Sequence, residues 1–222
     1  MMTYTVKPTD KQPELKGAWD GPVWSKAQTL TVANFRPESK DHRPDVRARL
    51  LYDGAQIYGI YRVQDRYVRS VAQTFQDSVC RDSCVEFFVQ PDRGPGYFNF
   101  EFSCGGTWLC YYVSDASRGP GGFKEFTKLT PEDGAQVRVY HSLPSHIDPE
   151  IDAPTTWILE FAVPLAMLAR YSGPLGTLAG RAWRANFYKC GDQTSHPHWA
   201  AWSPVDELNF HLPRCFGTIA FE

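Results

Sequence analysis

Short segments rich in Val, Ile, Phe, Tyr and Trp recur along this chain between breaks made of Gly, Pro and Asp. That is the pattern of short strands that pack as a sandwich or barrel. Strands are expected near Thr29–Asn34, Val46–Tyr52, Gln56–Val63, Cys84–Gln90, Tyr97–Cys104 and Thr107–Val113. Others are expected near Gln136–His141, Thr156–Val163, Ala182–Lys189, Trp199–Trp202 and Thr218–Phe221. Asp53-Gly54 and Gly105-Gly106 each join two of these segments and read as hairpin turns. Pro164 at a first helical position, followed by Leu165, Met167 and Leu168 and stopped by Gly173-Pro174, predicts one short helix. No period repeats and no Gly/Ser linker divides the chain. Residues 1–222 are therefore expected to form one domain, an all-β antiparallel β-sandwich of about ten strands with one short helix.

Composition narrows the functional classes. With 42% hydrophobic and 14% aromatic residues the chain has ample material for a packed core, so disorder is not expected. Its formal net charge is −2 and no basic block occurs, which argues against nucleic acid as a partner. No run of about 18 apolar residues is present, so no membrane span is expected. Residues Met1 to Asp10 are polar and lack a secretory h-region, which points to the cytoplasm; a trimmed leader would instead mean secretion or the periplasm. The six cysteines form no C-x-x-C pair. A two-residue turn at Gly105-Gly106 would set Cys104 opposite Thr107 and Cys110 opposite Glu101, making the two cysteines poor disulfide partners. Reduced thiols are the expectation. Nothing in the sequence fixes an oligomeric state.

The residue that most needs a chemical explanation is Glu86, set inside Asp82-Ser83-Cys84-Val85-Glu86-Phe87-Phe88-Val89. At period two, Val85, Phe87 and Val89 face one side while Cys84, Glu86, Phe88 and Gln90 face the other. A buried, unpaired carboxylate costs several kcal/mol, so Glu86 either holds a structural partner or borders a wet hollow. Asn99, Glu101 and Ser103 alternate in the same way with Phe98, Phe100 and Phe102, and Glu160 is a further strand acid. Should the Glu86 and Asn99 strands be neighbours, two carboxylates and an amide share one surface, with donors and acceptors suited to sugar hydroxyls. A plain solvated sheet face is the alternative. Paired acids also raise glycoside hydrolysis, although no local motif marks a nucleophile.

Aromatic residues concentrate near the end of the chain, where Trp183, Phe187, Tyr188, Trp199, Trp202 and Phe210 interleave with Asn186, His198, Asn209 and His211. Such rings serve either a core or a platform on which a sugar ring stacks. His196-Pro197-His198 invites a metal reading but lacks a third ligand at readable spacing. Asp65, Asp77 and Asp82 could offer oxygen ligands to calcium, although no EF-hand loop is present.

Trp19-Asp20-Gly21 with Trp24, the run Val46 to Asp53, Ile57-Tyr58, Val63-Gln64-Asp65 and Asp82 to Phe88 occur in that order. They are followed by Trp157 to Pro164, Asn186-Phe187-Tyr188 and Pro213-Arg214-Cys215-Phe216-Gly217. In this ordered set the chain resembles the family 9 carbohydrate-binding modules, in particular a free-standing family-9-like group. The resemblance implies a β-sandwich that binds sugars without cutting them, with structural calcium in some members. It implies that Glu86 binds hydroxyls, that Asn99 and Glu101 lie on the strand of further polar contacts, and that two tryptophans grip the ligand. Here the first of those tryptophans is missing from Asp77 to Arg81 and the second aligns with Phe210, so Trp199 or Trp202 is expected to substitute. The candidate ligand-binding set is Glu86, Asn99, Glu101, Asn186, Tyr188, His198, Trp199, Trp202 and Phe210. The alternatives are a glycoside-hydrolysing enzyme or the accessory domain of one in carbohydrate catabolism, and a haem or small-ligand binder using one of His141, His146, His196, His198 and His211.

Overall fold

The computed structural model describes residues 2–119 and 122–222. The strands in chain order are β1 (Thr3–Pro8), β2 (Leu30–Thr31), β3 (Asn34–Phe35), β4 (Asp45–Tyr52), β5 (Gln56–Asp65), β6 (Val68–Ser70), β7 (Cys84–Gln90), β8 (Tyr97–Ser103) and β9 (Trp108–Leu109). Then come β10 (Tyr111–Gly119), β11 (Gly122–Lys128), helix α1 (Pro131–Gly134), β12 (Arg138–His141), β13 (Ile147–Ile151), β14 (Thr155–Pro164), helix α2 (Leu165–Ser172), β15 (Ala182–Cys190), β16 (Trp199–Ala201) and β17 (Gly217–Phe221). β10 and β11 form a hairpin in which Gly119 pairs with Gly122; Pro120 and Gly121 lie outside the described residues.

The protein is mostly β, but the sheet is mixed rather than purely antiparallel. One continuous path runs β11-β10-β8-β7-β15-β17-β1-β4-β5-β14-β12. The parallel link is β1, whose Thr3–Val6 pair with Thr218–Phe221 of β17 and whose Lys7 and Pro8 pair with Leu51 and Tyr52 of β4. β1 was not expected at all, because Thr3–Pro8 is polar and ends in proline. The path places it between two other strands, with Tyr4 and Val6 in the core. Seventeen strands replace the expected ten or so among the described residues: the expected segments Thr29–Asn34 and Thr107–Val113 each split in two, and β6, β11 and β13, like β1, were not expected because they carry little alternation.

Among the described residues two α-helices replace the single one expected. α2 begins after Pro164 and ends at Gly173, which has φ 86°. α1 is one turn held by a capping box in which Thr130 Oγ1 accepts from the Asp133 backbone N–H while the Asp133 carboxylate accepts from the Thr130 N–H.

The aromatic faces meet at the centre. Phe87 of β7 and Phe102 of β8 stack on Phe161 of β14, with ring centroids 5.8 and 5.0 Å apart. Gly59 faces Phe161 across β5 and β14, and a Cβ there would lie 2.1 Å from the ring, so the strand glycine makes room for the aromatic layer. Tyr61 ties the two halves of the path by donating to the Glu86 carbonyl at 2.6 Å.

The Gly105-Gly106 hairpin differs from its expected register by one residue. Glu101 pairs with Leu109 and Phe102 with Trp108, and the turn is wider, closed by the Ser103 N–H on the Thr107 carbonyl. Close approach explains both glycines. A Cβ at Gly105 would meet Ser70 Oγ at 2.2 Å, and one at Gly106, where φ is 91°, would meet the His141 ring at 2.3 Å.

Candidate functional site

Alternation along three adjacent strands sets the site. β7 turns Val85, Phe87 and Val89 into the main core, and Cys84, Glu86 and Phe88 to the opposite face. On β8 the opposite face carries Tyr97, Asn99, Glu101 and Ser103; on β15 it carries Asn186, Tyr188 and Cys190. Glu86 stands directly between Glu101 on one side and Tyr188 on the other. This face is no solvated sheet surface. The loop through Phe210, the turn Val79–Arg81 and the β10–β11 hairpin rise over it, and together they leave a cleft of about 520 Å³.

Glu86 and Glu101 lie in that cleft at 2% and 6% exposure. Glu86 Oε1 accepts from the Cys190 thiol at 3.2 Å, and its Oε2 has no hydrogen-bond partner among the described residues. Glu101 Oε1 accepts from Asn99 Nδ2 at 2.8 Å, while Asn99 Oδ1 accepts from the Tyr111 backbone N–H at 2.7 Å. Burial pushes the Glu86 carboxyl well above the usual range, and the facing Glu101 adds to the shift. Burial likewise raises Glu101, opposed by the hydrogen bond from Asn99. Among the described residues no arginine or lysine makes an ion pair with either acid.

Of the nine residues singled out from sequence, Glu86, Asn99, Glu101, Trp199 and Phe210 line the cleft. Trp199 is half-buried and donates from Nε1 to Asp192 Oδ1 at 2.8 Å. Phe210 lies flat on Tyr188, so Tyr188 supports the wall from behind, with its hydroxyl on the Phe210 carbonyl. The other candidates go elsewhere. Trp202 is 2% exposed and packs edge-on against Phe187 in the core, and Asn186 is spent on the backbone of Ser203 and Phe187.

His198 is turned to the other side of β15, into a buried network. Its Nε2 meets Lys189 Nζ at 2.8 Å, Lys189 lies 3.4 Å from Asp65, and Asp65 holds His42 at 2.7 Å. His42, Asp65 and His198 have the spacing of metal ligands, but the lysine ammonium already supplies their cation. The calcium expectation does not fit the acids named for it. Asp77 and Asp82 are saturated by donors from residues 73–74 and from Val71, Ala72 and Ser103, and Asp65 by the network just described. Haem fits no better: of the five histidines named only His211 lines the cleft, and its Nδ1 is bonded to Tyr97.

Sequence reasoning passed over Asp192, Cys80, Cys190, Arg118 and Phe123, all of which line the cleft. Extending the alternation of β15 from Asn186 and Tyr188 would have reached Cys190. Arg118 and Phe123 flank the glycine-rich hairpin tip, and only the fold brings them over the acids.

A family model described as carbohydrate-binding family 9 matches residues 23–221. The structure is similar to that of a candidate carbohydrate-binding protein from Bacteroides uniformis, with 29% identity, 99% of each chain covered and a TM-score of 0.86. Two family 9 module structures from Caldicellulosiruptor kristjanssonii share the fold with TM-scores of 0.62. One, in complex with glucose, is 13% identical over 100% of this chain and 96% of its own; the other, in complex with cellotriose, is 14% identical over 100% and 94%. No protein of curated function matches the chain.

Proposed function

The chain belongs to carbohydrate-binding family 9, and from that premise we propose that it binds a sugar, without cleaving it, in the cleft over β7, β8 and β15. The observation that carries this reading is Glu86 Oε2, a buried carboxylate oxygen in the cleft lining with no hydrogen-bond partner among the described residues. An orphaned acceptor of this kind costs stability, and a ligand hydroxyl satisfies it. The raised pair adds complementarity, because a protonated carboxyl donates while an ionised one accepts, matching the two roles of an O–H group.

Asn99 and Glu101 extend the polar wall, and Phe210 and Trp199 supply apolar faces for the C–H side of a pyranose ring. In place of a clamp of two tryptophans the chain has a phenylalanine backed by Tyr188 and a tryptophan steered by Asp192. Glucose and short glucose oligomers are the first ligands to test, since fold relatives were solved with them. An open site of this size suits micromolar to millimolar affinity, about −8 to −4 kcal/mol. The strand ladders on either side of β1 are read as the two layers of a sandwich, and residues 1–222 as one binding domain. A non-catalytic role is favoured because Glu86 and Glu101 sit side by side on neighbouring strands of one wall, whereas glycoside hydrolysis needs acids flanking the scissile bond.

The test is calorimetry of the full chain with glucose, cellobiose and cellotriose, alongside Glu86→Gln and an assay for released reducing ends. Binding heat that falls about tenfold or more in the variant, with no product, supports the reading. Product formation, or wild-type affinity in Glu86→Gln, overturns it.

A further inference from the structure

Three of the six cysteines cluster at the cleft: Cys80 on the turn between β6 and β7 and Cys190 on β15, far along the chain, line it, and Cys84 on β7 packs against them beneath it. Cys84 and Cys190 are directly opposed across the two strands, and Glu86 follows Cys84 by two residues, so all three point to the same face. One ligand atom from each of Cys84, Glu86 and Cys190 lies within 4.8 Å of the others. The Cys190 sulfur is 3.2 Å from Glu86 Oε1, and the three residues are at most 2% exposed. The second observation is independent of that spacing: Glu86 Oε2 is buried and, among the described residues, without a hydrogen-bond partner.

We propose that Cys84, Glu86 and Cys190 form a site for one thiophilic divalent metal ion, zinc in the first place, with its fourth position open to the cleft. Two thiolates and a carboxylate suit the tetrahedral coordination of zinc, whereas calcium takes six to eight oxygens. The ion replaces the two thiol protons and any proton held on Glu86, all of which leave to solvent, and its two charges meet the carboxylate and thiolates in a region where, among the described residues, no lysine or arginine makes an ion pair with the acids. Rigidity favours capture, because all three ligands stand on central strands of the sheet and need no loop to close. The inference does not rest on sugar binding, although it shares Glu86 with that reading.

The experiment uses the full chain, reduced and stripped with a chelator, then titrated with cobalt(II) as a spectroscopic probe. The expected result is a thiolate-to-cobalt charge-transfer band that saturates at one equivalent and is bleached by zinc. Cys84→Ser and Cys190→Ser abolish the band, Glu86→Gln weakens binding by about tenfold or more, and Cys215→Ser, whose sulfur lies by Asp206 outside the cleft, leaves it unchanged. Native mass spectrometry of the unmutated chain with zinc needs no variant and should show the mass of one zinc less two protons. Absence of the band and of the zinc adduct, a band that survives in both serine variants, or a Cys84–Cys190 disulfide in place of the adduct overturns the proposal.

Discussion

The Phe210 ring lies face to face on Tyr188, with centroids 4.0 Å apart and planes 10° from parallel. Tyr188 is fully buried and anchored through its hydroxyl to the Phe210 carbonyl, so the smaller ring is held rigidly at the cleft wall. Rigid placement lowers the entropy lost when a sugar stacks on it.

Replacing Phe210 by alanine should therefore weaken glucose-oligomer binding by about tenfold, near 1.4 kcal/mol, while the melting temperature changes little because the ring is half-exposed. Phe210→Trp should strengthen binding. Calorimetry of both variants checks the pair, and unchanged affinity in Phe210→Ala would remove the ring from the site.

His198 predicts a pH dependence of stability. The Lys189 ammonium donates to its Nε2 and its Nδ1 donates to the His196 carbonyl, which holds the ring neutral. Burial first and the Lys189 charge second push its imidazole down to about 3; His42 adds to this, and Asp65 opposes it. The unfolded chain takes up this proton near its ordinary value of 6.5, so the contribution of His198 is complete above pH 6.5 and is lost as pH falls toward 3. Its slope reaches about 1.4 kcal/mol per pH unit.

Asp65 has a lowered value, burial being outweighed by the Lys189 charge and the His42 hydrogen bond, and costs stability only below 3.8. His211 shares the upper window, so the test is a difference. Between pH 6.5 and 4 the urea stability of His198→Gln should fall less steeply than that of the parent by about 1.4 kcal/mol per pH unit. Parallel profiles would contradict the assignment.

Gly59→Ala places a methyl group into the Phe161 ring. The expected loss is about 1–3 kcal/mol from overpacking, read from chemical denaturation, and Phe161→Leu in the same chain should recover part of it. An alanine variant as stable as the parent would mean that the aromatic layer yields at no cost.

Much of the strand order was legible because alternation is local. The Cys84–Gln90 segment matches its expected bounds, and the polar face with Glu86 follows from period two alone. β1 was illegible, since a polar segment becomes a central parallel strand only when β17, more than 200 residues away, and β4, more than 40 away, present free edges to it. The Gly105-Gly106 register slipped by one for a similar reason: its glycines answer to Ser70, Ser145 and His141 from distant segments, not to their neighbours in sequence.

The sequence by itself determined which residues share a face, because side-chain alternation is a property of a few consecutive dihedrals. Thus Cys84, Glu86 and Phe88 were assigned together, and so were Asn99, Glu101 and Ser103. Only the tertiary structure decided that these faces adjoin and that loops roof them into a cleft. It also decided which aromatics reach that cleft. Trp199 and Trp202 are three residues apart on and beside one strand, yet one borders the cleft and the other fills the core, since burial depends on what distant segments pack against each side.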